Sequence, residues 1–138
     1  MSDFVLDCSI AASWLFEDEV TPETDRLLES LTERSAHVPG LWYLELGNVM
    51  IQAERRGRIS ASQMTAGLEL LSNLPIIRDP ESENRAFRET LELARTYSLT
   101  TYDAAYLELA LRKNLTLATQ DKALRKAALK ADISVEPN

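Results

Sequence analysis

Four acids in this 138-residue chain stand where solubility alone gives no reason for them. Asp7 follows the apolar run Phe4-Val5-Leu6 at once, and Asp121 follows Leu115-Thr116-Leu117-Ala118-Thr119 after one further residue. Glu45 sits inside GLWYLELGNVMIQAE, where a helical reading gives it Leu41, Trp42 and Val49 as neighbours one turn away, with Asn48 at i+3. Asp103 lies in LTTYDAAYLELA, three residues after Thr100. Taken singly, three have a bland explanation. Asp7 and Asp121 suit helix N-caps, and Thr100 with Asp103 resembles a capping box. Glu45 does not: an unpaired ionised group on an apolar stripe is costly, so it has a positive partner, takes up a proton or faces a cleft.

Taken together, the four suggest chemistry. Two like charges ~4 Å apart at an effective dielectric of ~20 repel by about 4 kcal/mol. A convergent cluster therefore takes up protons or binds a cation. Ligands that are all oxygen select Mg²⁺ or Mn²⁺, ions that polarise a phosphate and activate water.

The elements that must bring these acids together are legible from periodicity. FVLD, AHVP, PIIRD and LTLAT are short apolar segments that predict strands, and ISVE is a candidate fifth. Between them fall helical patterns: Ile10 to Phe16; a second opened by Thr21-Pro22; Leu41 to Arg56, closed at Gly57; Ser60 to about Asn73; SENRAFRETLELARTYS; TTYDAAYLELALRKN; and QDKALRKAALKA. Strands alternating with helices predict an α/β fold with a mostly parallel central sheet of four to five short strands flanked by helices. The expectation is one domain over 1–138. In such a sheet, functional groups collect outside the carboxyl ends of the strands, which is where Asp7 and Asp121 fall.

Composition removes several classes. Hydrophobic residues make up 45% and charged residues 27%, as in an ordinary globular protein, and no run approaches the ~20 apolar residues of a membrane span. Met1-Ser2-Asp3 offers no basic start to a secretory leader, and the lone Cys8 excludes an internal disulfide and fits a reducing cytoplasm. With His37 the only histidine, a zinc site of N and S ligands is disfavoured. The net charge of −7 argues against a nonspecific polyanion binder, but the charge is uneven. Acids crowd Glu17 to Glu33, whereas bases crowd Arg112 to Lys130 and Arg55-Arg56-Gly57-Arg58.

The ordered set VLDCS, LELGN, TYDAAYLELA and LATQD resembles the PIN-domain ribonucleases, specifically the VapC toxins of bacterial toxin–antitoxin pairs, over essentially the whole chain. The resemblance implies a three-layer PIN-like fold and Mg²⁺- or Mn²⁺-dependent endonucleolytic cleavage of RNA. It also implies a homodimer and a small VapB-like antitoxin that wraps the toxin and blocks its site. Carried over, the family's acidic residues fall on Asp7, Glu45, Asp103 and Asp121, and its small polar helpers on Ser9, Asn48 and Thr119. Asp7, Glu45 and Asp103 would hold one ion, and Asp121 would support it or a second. Gln120 stands where Asn is commoner. Because the chain is acidic, contact with RNA must rely on local bases: Arg55, Arg56, Arg58, Arg112, Lys113, Lys122 and Arg125 are the candidates, against solvated helix faces as the plain alternative.

Two rival readings make other demands. A haloacid-dehalogenase-like phosphatase or phosphotransferase also places an Asp after its first strand, but needs a second acid two residues on, where this chain has Ser9. A non-catalytic α/β scaffold would use the acids only as caps and bind no divalent ion. Of the remaining residues, His37 reads as structural or surface with no carboxylate partner in the sequence, and Cys8 as a small hydrophobe. Trp14, Trp42, Leu44 and Tyr106 read as core or dimer-interface residues.

Overall fold

The computed structural model describes residues 2–138 and has an α/β three-layer architecture around a five-stranded sheet. Its strands are β1 (Phe4–Leu6), β2 (Ala36–Val38), β3 (Ile76–Arg78), β4 (Thr116–Ala118) and β5 (Val135–Glu136). All neighbours pair in parallel, in the order β3-β2-β1-β4-β5. The candidate ISVE strand is therefore real, with Val135 opposite Leu117.

Among the described residues seven α-helices connect or follow the strands: α1 (Cys8–Leu15), α2 (Pro22–Ser30), α3 (Leu41–Arg55), α4 (Ala61–Ser72), α5 (Glu89–Tyr97), α6 (Thr101–Lys113) and α7 (Lys122–Lys130). Their starts follow local chemistry. Thr21 and Ser60 close reciprocal capping boxes with Thr24 and Gln63, and Thr100 accepts from the Asp103 N–H. Gly57, at φ +72°, takes the left-handed conformation just beyond α3. Among the described residues no helix is long and apolar enough to cross a membrane.

Two boundaries differ from expectation. α1 begins at Cys8 rather than Ile10, because the Asp7 carboxylate itself caps it by accepting from the Ile10 N–H. The stretch 82–98 is not one helix: a 3₁₀ turn at Glu83–Arg85 gives way to α5 only at Glu89. Leu93 and Tyr97 pack on the core, whereas Phe87 is 89% exposed, so burial begins to hold a helix only beyond the turn.

The core is centred on β1, whose Phe4, Val5 and Leu6 are fully buried between β2 and β4. Each such side chain contributes about 1.5–3 kcal/mol by leaving water. α6 covers the sheet with an unbroken buried run from Ala104 to Ala110. Trp14, Trp42 and Tyr106 join the core as expected, but Leu44 is 82% exposed. His37 lies within β2 and does have a carboxylate partner: its Nε2 is 2.9 Å from Asp3 Oδ2. The alignment of β1 with β2 brings these distant residues together.

The strand order fixes where a site can form. From β1 the chain moves outward through β2 to β3, then crosses to β4 and β5 on the other flank. The carboxyl ends of β1 and β4 thus flank the point where the order reverses, the position at which open α/β sheets offer a crevice.

Candidate functional site

Asp7 leaves the end of β1 with its N–H on Ala118 O of β4 at 3.2 Å. Asp7 is 5% exposed, and its carboxylate accepts from three donors: Ser9 Oγ at 2.6 Å and the Ile10 N–H at 3.2 Å on Oδ1, and Thr119 Oγ1 on Oδ2. Burial nevertheless outweighs these hydrogen bonds and pushes its pKa up to about 6.

The turn after β4 closes the same network. The Gln120 N–H donates to Ser9 Oγ at 2.8 Å, and the Asp121 N–H to Thr119 Oγ1 at 3.0 Å. Ser9 and Thr119 therefore each give their proton to Asp7 and take one from the β4–α7 turn. Asp121 caps α7 through Oδ1, which accepts from the Leu124 N–H at 2.8 Å, and is otherwise exposed.

Glu45 and Asp103 enter from helices α3 and α6. Glu45 caps nothing; its Oε1 accepts from Tyr106 Oη at 2.5 Å and faces the Cys8 thiol at 3.8 Å. Cys8 also reaches Trp42 O at 3.5 Å and lies 3.7 Å from Tyr106 Oη, so it is more than a packing residue. Burial, with the Glu45 and Asp7 charges beside it, pushes the thiol well up. Asp103 is half-buried in the first turn of α6, and its own carboxylate caps nothing. Burial, then the Asp121 charge, then the Glu45 charge, raise its pKa above the ordinary value.

Asp103 thus feels the charges of Asp121 and Glu45, Cys8 feels those of Glu45 and Asp7, and none of the four acids forms an ion pair among the described residues. An all-oxygen donor set without a protein cation fits a hard divalent ion. The acids do not close on one point: among the described residues no three acidic, thiol or imidazole groups stand near enough together to hold an ion as arranged.

The other sequence candidates separate. Ser9 and Thr119 are on Asp7, whereas Asn48 is exposed on α3 and makes no side-chain hydrogen bond among the described residues. Arg55, Arg56, Lys113 and Lys122 are exposed. Arg58 is tied to Asp18 and Glu19 at 2.8 and 2.7 Å and lies over the Phe16 ring. Arg125 donates to Thr119 O and Pro137 O. Arg112 is engaged by Glu108 at 2.8 Å and Asp79 at 2.6 Å, two nearly inaccessible acids. Sequence reasoning missed the contact of Tyr106 with Glu45; its signal was the i+3 spacing from Asp103, which puts both on one side of α6.

Comparison with known proteins bears on this arrangement. The PIN domain family model matches residues 4–130. "Exonuclease VapC9" of Pyrobaculum aerophilum is 34% identical over 93 residues; the match covers 67% of this chain and 65% of that relative's length. Three solved structures share the fold. PAE2754 from Pyrobaculum aerophilum has a TM-score of 0.67 at 24% identity, covering 92% of this chain and 87% of that one. VapBC2 from Rickettsia felis, bound to a DNA fragment from their promoter, gives 0.67 at 18%, covering 99% and 98%. FitAcB from Neisseria gonorrhoeae gives 0.65 at 18%, covering 98% and 96%.

Proposed function

The chain belongs to the PIN domain family, and on that premise we propose that it is a Mg²⁺- or Mn²⁺-dependent endoribonuclease, the toxin of a type II toxin–antitoxin pair. The observation that carries this reading is the set of acids at the ends of β1 and β4: burial raises Asp7, burial with the Asp121 and Glu45 charges raises Asp103, and none of the four acids forms an ion pair among the described residues. Residues 1–138 act as one unit in the cytoplasm, as a homodimer, with a VapB-like antitoxin as partner.

Asp7, Glu45 and Asp103 would hold the ion, with Asp121 beside it. Held there, a Mg²⁺ or Mn²⁺ would supply polarisation of the scissile phosphate and a lower pKa for a coordinated water. The chain's own residues prepare the site. Ser9 and Thr119 keep Asp7 oriented while burial withholds bulk water from it. The exposed Arg55, Arg56, Lys113 and Lys122 are available to RNA phosphates, whereas Arg58, Arg112 and Arg125 are already bound internally. A protein partner is supported by α4, a helix with no buried residue whose Leu68 and Leu71 line an apolar groove with Trp42 and Tyr43.

The phosphatase reading fares worse: that chemistry needs a second acid two residues after Asp7, and the residue there is Ser9, whose hydroxyl donates to Asp7 Oδ1 at 2.6 Å. The deciding assay is cleavage of a covalently closed circular RNA beside its linear form. An endonuclease opens the circle with Mn²⁺ or Mg²⁺ and stops with a chelator. Degradation of the linear form alone would assign an exonuclease, and equal cleavage in chelator would remove the metal.

A further inference from the structure

We propose that Tyr106 is a positioning residue that fixes the Glu45 carboxylate at the crevice, with the Cys8 thiol as its second anchor; the inference rests on reading the crevice as a metal site. The four acids are not held alike. Asp7 is held by three donors and Asp121 by a backbone N–H, while Asp103 is a short side chain in the first turn of a buried helix. Glu45 has three side-chain torsions, stands in the middle of α3 and receives no backbone donor.

What holds Glu45 comes from elsewhere in the fold. Tyr106 Oη donates to Oε1 at 2.5 Å, within the range of a hydroxyl on a charged carboxylate, and Cys8 Sγ approaches the same oxygen at 3.8 Å. Both donors are on Oε1, so Oε2 is left without a protein donor among the described residues. Tyr106 is itself 2% exposed and seated in the continuously buried stretch of α6, three residues from Asp103. One rigid helix therefore carries Asp103 and also the hydroxyl that orients Glu45. Two acids from different elements are set by the same scaffold. Groups that orient metal ligands in this way change metal affinity when removed, without being ligands themselves.

The test is a calorimetric titration of the full chain with Mn²⁺, in the wild type, Tyr106→Phe and Cys8→Ala. Tyr106→Phe keeps the buried ring and removes only the hydroxyl, and a thermal midpoint close to the wild type shows that the fold persists. Its Mn²⁺ affinity should fall about 10–100-fold. RNA cleavage should fall at limiting Mn²⁺ and recover at saturating Mn²⁺, with KM for RNA unchanged. Cys8→Ala should show a smaller loss of affinity in the same direction, and it reads the anchor in a background that keeps Tyr106. If Tyr106→Phe lowers the thermal midpoint but binds Mn²⁺ like the wild type, its role is packing and the proposal is overturned while the metal site stands. If the wild type itself binds no Mn²⁺, both fall.

Discussion

The molecule concentrates buried acid in two places and treats them oppositely. Asp79, at the end of β3, and Glu108, on α6, are 1% and 3% exposed, yet Arg112 lies between them and bonds both. Burial pushes the Asp79 carboxyl up, but the Arg112 guanidinium and the Ser82 hydroxyl at 2.7 Å hold it below its ordinary value. At the ends of β1 and β4, burial acts on Asp7 and Asp103 with no guanidinium bonded to either, and both are raised. A chain able to neutralise one pair of buried acids with its own arginine has left the other group without one. Stability alone does not explain that choice; the proposed divalent cation would.

Removing the arginine should break the comparison most forcefully. Arg112→Met leaves two enclosed carboxylates unpaired, a loss of about 3–5 kcal/mol, seen as a large drop in denaturant midpoint. The same variant, assayed while folded, should cleave RNA at close to the wild-type rate, because Arg112 belongs to the structural cluster. Neutralising one acid of the other cluster should do the reverse. Asp103→Asn should cost on the order of 10²–10³ in kcat, about 2.7–4 kcal/mol, the scale of losing one electrostatic contribution to a transition state. Its thermal midpoint should hold or rise, since repulsion from Asp121 and Glu45 is relieved.

The pH response distinguishes the clusters next. Asp7 is raised to about 6 from 3.8, so between those values the folded chain binds more protons than the unfolded one, and this group's contribution to stability falls as pH rises. In metal-free protein, the stability of wild type relative to Asp7→Asn should fall by about 2 kcal/mol from pH 4.5 to 7, measured by urea unfolding. Asp79, held low, contributes stability that is present at neutral pH and is lost as pH falls through its folded value. The two acids therefore slope in opposite directions. The smallest effect concerns the free bases: Lys122→Ala should leave kcat unchanged and lower the salt dependence of RNA binding by about 0.7 in log–log slope for one lost phosphate contact.

Much of this arrangement was legible in the sequence because local rules governed it. The parallel α/β order, the caps at Thr21, Ser60 and Thr100 and the end of α3 at Gly57 follow from residues a few positions apart. Asp7 and Asp121 do cap helices, as their plainest reading holds, yet they also share a network through Thr119. What sequence did not reveal depended on partners brought together by the fold. Arg112 read as a free base, although Asp79, 33 residues away, claims it; the Glu108 pairing at i+4 was visible and points the same way. Asp3 and His37 meet only because β1 and β2 align. Tyr106 read as packing: its i+3 spacing set it beside Asp103, but the hydroxyl's target, Glu45, is on another helix.

The central claim is that the crevice acids hold a divalent cation and the arginine-bound acids do not. A crystal soaked in Mn²⁺ and measured at the manganese absorption edge tests it most directly. The account predicts anomalous density about 2.1 Å from carboxylate oxygens of Asp7, Glu45 or Asp103, with none at Asp79 and Glu108. No peak in the crevice at saturating Mn²⁺, or a peak only at the Arg112 cluster, would contradict it.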